Sequence, residues 1–123
     1  MSERVLAFLL YIDFMKCPRE IKDLLKVLYN LSPSETEVMY YLCDNEARAS
    51  DIGEELGKDR STVQRYLSKL RSAGLVERES VVKEGKKGRF YVYTVRDKEE
   101  LKQKIENRLD AWKDEKLRVL EEI

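Results

Sequence analysis

Histidine is missing from this 123-residue chain, and asparagine and glutamine together number only five. There is also no glycine-rich phosphate loop and no nucleophile motif. Acid–base chemistry would therefore fall to Asp, Glu or Tyr, and none of these forms a recognisable pair, so the chain is expected not to be an enzyme and to need no cofactor. Cysteine is scarce too. Cys17 and Cys43 stand 26 residues apart with no CxxC, so a zinc site would lack ligands and two buried free thiols are expected, with no metal. Proline occurs twice and glycine five times, and no segment is of low complexity, which argues for a folded protein.

Long apolar runs are equally rare. The one strongly apolar stretch, "VLAFLLYIDFM" from Val5 to Met15, is interrupted by Asp13 and is about half the length that spans a bilayer. A secretory signal would end in small residues, whereas Cys17-Pro18-Arg19 follows here. A cytoplasmic protein with no membrane partner is expected.

Charge is what the chain has in abundance. Asp, Glu, Lys and Arg make up 39% of it, against the usual quarter or so. High Glu, Lys and Arg with few amides is the habit of thermophile proteins. The net charge of zero hides an asymmetry. Between Lys58 and Arg89 ten basic residues face four acidic ones, so that segment carries +6 and the remainder −6. A local basic excess on an otherwise acidic chain points to one directed anionic partner.

Residues 4–15 show no clean period and read as helix by length, with a strand left open. Ile21, Leu24, Leu25 and Leu28 then repeat at three and four, giving an amphipathic helix to about Asn30. In "LSPSETEVMYYLCDN", Ser32, Pro33 and Glu35 form a capping box with a preset φ, and Val38, Met39 and Leu42 give the apolar stripe. Ser50 is expected to cap a short helix with Ile52 and Leu56 inward, which Gly57 ends. Asp59 is placed to cap the next helix, which carries Val63, Leu67 and Leu70 and runs to Gly74. Two short helices joined by a tight Gly-containing turn make a helix-turn-helix. Leu75–Val82 and Phe90–Val95 read as a hairpin around the basic loop "KEGKKGR", with the buried face of the second strand undecided. Asp97 with Glu100 repeats the capping-box pattern, and some 27 residues of helix to the C-terminus would extend about 40 Å.

This order predicts a mostly α fold with a small β-hairpin wing, a winged helix-turn-helix. The helix from Arg60 would then be the recognition helix, with Arg60, Ser61, Thr62, Gln64, Arg65 and Lys69 as DNA-binding residues. Arg can pair with guanine, Gln with adenine, and Ser or Thr with phosphate or base edges. No acid lies between Arg60 and Val76, where a merely solvated face of so Glu-rich a chain would mix signs. Lys83, Lys86, Lys87 and Arg89 would form the wing, on the phosphates or in the minor groove, unless they only guard a hairpin tip against edge pairing.

From Leu31 to Val95 the chain resembles the winged helix-turn-helix regulators of the MarR and TrmB-like type, especially small archaeal ones. The residues that carry the likeness are "LSPSETEVMYYL", "ASDIGEELGKDRSTVQRYLSKLRSAGLVER" and "GKKGRFYVYTV". The resemblance implies a homodimeric transcriptional regulator with its recognition helix starting near Arg60 and its wing at residues 81–90. Gly53 departs from it, standing where alanine is usual and loosening the short helix. The large sugar-binding domain of full-length TrmB proteins is lacking, so a sugar effector does not carry over and any effector is left unspecified.

The expected organisation is an N-terminal helical segment (1–30), the DNA-binding domain (31–96) and a long C-terminal helix (97–123). Val5, Phe8, Leu9 and Ile12 with Ile105, Leu109, Trp112 and Val119 are the candidate dimer interface, unless residues 5–15 simply cover their own domain. The expected function is a sequence-specific, double-stranded-DNA-binding regulator acting as a homodimer. Two readings compete with it: an architectural DNA-binding protein of little sequence preference, and a winged-helix interaction module of the transcription machinery.

Overall fold

The computed structural model describes residues 16–82, 85 and 88–123. The first helix, α1 (Ile21–Tyr29), stops where Asn30 turns left-handed at φ 53°. It buries Leu25 and Leu28, half-buries Ile21 and leaves Leu24 at the surface, so the three-and-four repeat holds two residues more than the fully buried stripe. In α2 (Pro33–Asp44) the capping box forms as expected. The Ser32 hydroxyl accepts from the Glu35 N–H at 3.1 Å, and the Glu35 carboxylate accepts from the Ser32 N–H at 2.8 Å. Val38, Met39, Leu42 and Cys43 are buried, and the buried Thr36 hydroxyl is satisfied by the Ser32 carbonyl at 2.8 Å.

The next helix, α3 (Ala49–Leu56), starts two residues earlier than a Ser50 cap requires, with Arg48 at the cap position. Asp51 displaces Ser50 by reaching back: its Oδ2 accepts from the Arg48 backbone N–H at 3.3 Å and from Arg48 Nε at 3.2 Å. Gly57 ends the helix at φ 67°, as its position predicts. Recognition-type helix α4 (Arg60–Ser72) is capped by Asp59 and buries Val63, Leu67 and Leu70 against α2 and α3. It unwinds through Gly74, with the Leu75 N–H donating back to the Leu70 carbonyl at 3.0 Å.

Gly53 has a tighter duty than its place in a short helix indicates. A Cβ there would lie 2.6 Å from the Lys58 carbonyl oxygen, in the turn that joins α3 to α4. Rather than loosening α3, the glycine lets the turn close against it, and the Lys58 N–H donates to the Gly53 carbonyl at 2.9 Å.

Strands β1 (Glu77–Val82) and β2 (Arg89–Thr94) pair antiparallel, from Glu77 opposite Thr94 to Val82 opposite Arg89. Leu75 and Val76 precede the strand and are its buried anchors. On β2 Tyr93 is buried, whereas Tyr91 on the same side is exposed and Phe90, Val92 and Thr94 are half-buried, so neither face of the strand is wholly inward. Tyr93 also exchanges two backbone hydrogen bonds with Ala47, at 3.1 and 2.8 Å, so the hairpin is tied to the segment before α3.

Helix α5 (Lys98–Glu121) begins at Asp97, whose carboxylate accepts from the Glu99 and Glu100 N–H groups at 2.9 and 3.3 Å. Its 24 residues extend about 36 Å. Leu101 and Ile105 enter the common core with α1, and Arg108 Nε donates to the Leu28 carbonyl at 2.9 Å. Beyond this point the stripe runs out of its own domain. Trp112 is half-buried, while Leu109, Leu117, Val119 and Leu120 stand exposed. Among the described residues, no helix is long and apolar enough to cross a membrane.

Candidate nucleic-acid interface

The polar face of α4 is set by the same spacing that buries Val63, Leu67 and Leu70. Arg60, Ser61, Gln64, Arg65 and Ser68 lie on the opposite side and are exposed. Their surroundings differ. The Asp59 carboxylate accepts from the Thr62 N–H at 2.8 Å and from the Ser61 hydroxyl at 2.9 Å. These bonds, first that of the Thr62 N–H and then the Thr62 and Ser61 side chains, hold the Asp59 carboxyl below the usual carboxylate range. Ser61 and Thr62 are thus bound into the cap, and the acid at the helix tip is spent on it. Arg60 and Gln64 carry no such tie and are free to reach outward.

Lys69 is not brought to that face. Its ammonium turns back to the Asn30 carbonyl at 3.1 Å and to Glu35 Oε1 at 3.0 Å, across the junction of α1 and α2. Burial would raise the Glu35 carboxyl, but the Ser32 N–H, the Lys69 ammonium and the Ser32 hydroxyl outweigh it and hold it below its ordinary value. Lys69 therefore orients α4 on the domain. Its partner lies 34 residues away, which helix periodicity does not encode.

In the hairpin, Arg89 sits at the base of the loop, opposite Val82, and is exposed. Lys83, Lys86 and Lys87 lie outside the described residues, as do Val5, Phe8, Leu9 and Ile12. The flank of the hairpin is more basic in effect than its sequence reads. Arg96 pairs with both Glu77 and Glu79, the two acids of β1, and offsets part of their charge. Arg78 lies over the exposed Tyr91 ring at 4.0 Å, and Arg48 over Phe90 at 5.3 Å. These arginine–aromatic stacks were missed in the sequence because their partners are set by strand register and tertiary packing.

The remaining candidate dimer residues divide. Ile105 is core, Trp112 lies at its margin, and Leu109 and Val119 are exposed. An apolar groove of about 460 Å3 runs between α1 and α5, lined by Ile21, Leu24, Leu101, Ile105 and Leu109 among others. Cys17 lies on its edge and is half-buried, which corrects the expectation of two buried thiols; Cys43 is buried. Among the described residues, no group of three or more His, Cys, Asp or Glu could hold a metal ion.

Residues 32–78 match the helix-turn-helix of bacterial regulatory proteins of the ArsR family. The chain is 35% identical over 92 residues to protein MJ1503 of Methanocaldococcus jannaschii, spanning 73% of this chain and 68% of that one. It is 36% identical over 93 residues to MJ1082 of the same organism, spanning 75% and 76%. A possible transcriptional regulator from Methanosarcina mazei superimposes with a TM-score of 0.70 at 26% identity, over 83% of this chain and 87% of that one. The ST1889 protein of the thermoacidophilic archaeon Sulfolobus tokodaii superimposes with a TM-score of 0.59 at 19% identity, over 75% and 90%, a likeness of fold alone.

Proposed function

The chain belongs to the family of the Methanocaldococcus jannaschii proteins MJ1503 and MJ1082 and is a winged helix-turn-helix protein of the DNA-binding regulator kind; we propose that it acts as a sequence-specific homodimer. The observation that carries this reading is the outer face of α4. It is exposed and acid-free, and Arg60 and Gln64 stand unengaged at the end that would enter a major groove. Arg65 and Ser68 extend the same face toward the phosphates. The wing, with Lys83, Lys86, Lys87 and Arg89, adds charge along the backbone without reading bases. The ArsR match over residues 32–78 and the MarR and TrmB-like likeness both support a DNA-binding helix-turn-helix and differ in subtype.

In this reading residues 31–96 hold the DNA. Residues 1–30 and 97–123 join the two chains in a cytoplasmic homodimer. Support for the dimer comes from α5, whose outer half exposes Leu117 and Leu120 at 46% and 59%, and from the apolar groove beside it. A two-fold dimer sets two recognition helices about 34 Å apart, so the operator would be a near-palindrome with half-sites about one turn apart.

Selecting bound fragments from random DNA, followed by a salt series on the winner, tests the proposal. A regulator should prefer its operator over random sequence by at least about a thousandfold. Binding without preference would instead favour an architectural protein, and negligible binding an interaction module.

A further inference from the structure

Strand register gives the hairpin two unlike faces, because successive side chains point to opposite sides of a sheet. Glu77 and Glu79 share one face with Val81, Phe90 and Val92, and there Arg96 offsets part of their charge. The other face carries the buried Tyr93 at its inner end and, all exposed, Arg78, Ser80, Val82, Arg89 and Tyr91. No acid stands among these five. On that strip the Arg78 guanidinium lies 4.0 Å from the centre of the Tyr91 ring, diagonally across the two strands. The other arginines beside the base of the hairpin are committed, Arg96 to Glu77 and Glu79 and Arg48 to Asp51. Arg78, among the described residues, has no carboxylate within ion-pair distance and is held by the ring alone.

We propose that Arg78, held over Tyr91, is a backbone-phosphate contact for double-stranded DNA, with Tyr91 as its positioning residue. The inference deepens the DNA-binding reading above and rests on it. Arg89, placed on the DNA by that reading, stands on the same face of the hairpin. Four residues of strand, about 13 Å, separate the two positions, so the arginines serve different phosphates. A ring against one side of a guanidinium leaves its edge N–H donors outward, in the fork that matches two phosphate oxygens. A guanidinium folded back on its own sheet does not extend into a groove, so it meets the backbone and positions the protein without reading bases. The ring also settles the side chain beforehand, leaving fewer rotamers to lose when phosphate binds.

Fluorescence anisotropy with the full chain, on its selected operator and on a random duplex over a salt series, tests this. Arg78→Ala should weaken both duplexes alike, by about tenfold at 0.1 M salt, and reduce the salt slope by about one per chain. Tyr91→Phe, which keeps the ring, should bind within about twofold of wild type. Tyr91→Leu should lose about two- to fivefold, the worth of an exposed cation–π contact, and nothing further once Arg78 is already alanine. A purely structural ring would instead cost the same in both backgrounds. Both residues are exposed, so circular dichroism should show every variant folded. Wild-type affinity in Arg78→Ala, a loss confined to the operator, or equal Tyr91→Leu losses in both backgrounds would each overturn this proposal and leave the DNA-binding reading standing. Negligible DNA binding by wild type would overturn that reading, and this proposal with it.

Discussion

Replacing Gly53 with alanine sets two effects of similar size against each other. In a helix interior the exchange normally stabilises by about 1 kcal/mol, since glycine loses more backbone freedom on folding. Here the new methyl would stand 2.6 Å from the Lys58 carbonyl oxygen, a backbone atom, where ordinary contact begins at 3.4 Å. No side chain can swing aside to make room, so the turn itself has to move. Overpacking of this kind costs about 1 to 3 kcal/mol. The displaced backbone also carries Asp59, whose carboxylate caps α4, and a weakened cap costs up to about 1 kcal/mol more. The balance is a net loss of about 1 to 2 kcal/mol, or a fall in Tm of about 4 to 8 °C for a domain of this size. Thermal melts followed by circular dichroism and by tryptophan fluorescence should register it. Operator affinity should fall as well, because the turn sets the pose of α4 on α3. A Gly53→Ala protein that melts higher than wild type and binds DNA equally well would show that the turn has slack and that the steric argument fails.

Three further outcomes follow from the site. Gln64→Ala or Arg60→Ala should cost about 1 to 3 kcal/mol on the operator and relax preference at one base position, whereas Lys86→Ala or Lys87→Ala should weaken all sequences alike and reduce the salt slope by about one; fluorescence anisotropy over a salt series separates the two classes, and identical behaviour would refute the groove assignment. Glu35 is held below its ordinary pKa in the folded state, so its contribution is present above about pH 4.3 and is lost as pH falls through the folded value; Glu35→Gln should flatten the stability–pH curve there, measured by urea unfolding at several pH values, and an unchanged acid limb would remove Lys69 and Ser32 as its stabilisers. Leu117→Glu with Leu120→Glu should leave the fold intact, since both side chains are exposed, but light scattering should give 14.6 kDa instead of twice that; a persistent dimer would place the interface elsewhere.

What was legible in the sequence is what is decided within about four residues. Ser32, Pro33 and Glu35 announce α2, Gly57 ends α3, and Asp59 starts α4, because caps and left-handed turns are local events. Val63, Leu67 and Leu70 could be read as buried for the same reason, and so could the exposed face opposite them. The misses are all non-local or competitive. Ser50 lost its cap to Asp51, which had a backbone N–H and a guanidinium within reach at once. Lys69 looked like one more basic residue until folding set Glu35 and Asn30 beside it. Gly53 offered a fair warning, because an interior glycine in an eight-residue helix costs enough to demand a packing reason.

The paired hydrogen bonds between Ala47 and Tyr93 reach beyond the hairpin they fasten. A two-stranded hairpin alone is marginal in water and would sway on its own timescale. Stitched to the strand-like residue that leads into α3, it becomes the third edge of a small frame whose other side is the helix-turn-helix. In the proposed binding mode the hairpin strands and α4 would act as the two jaws of one calliper, with the gap between them set before any duplex arrives. Little orientational freedom is left to lose on engagement, so affinity gained by gripping is kept. The amides of Ala47 and Tyr93 should accordingly exchange with solvent together, in the same opening event, although 46 residues of chain separate them.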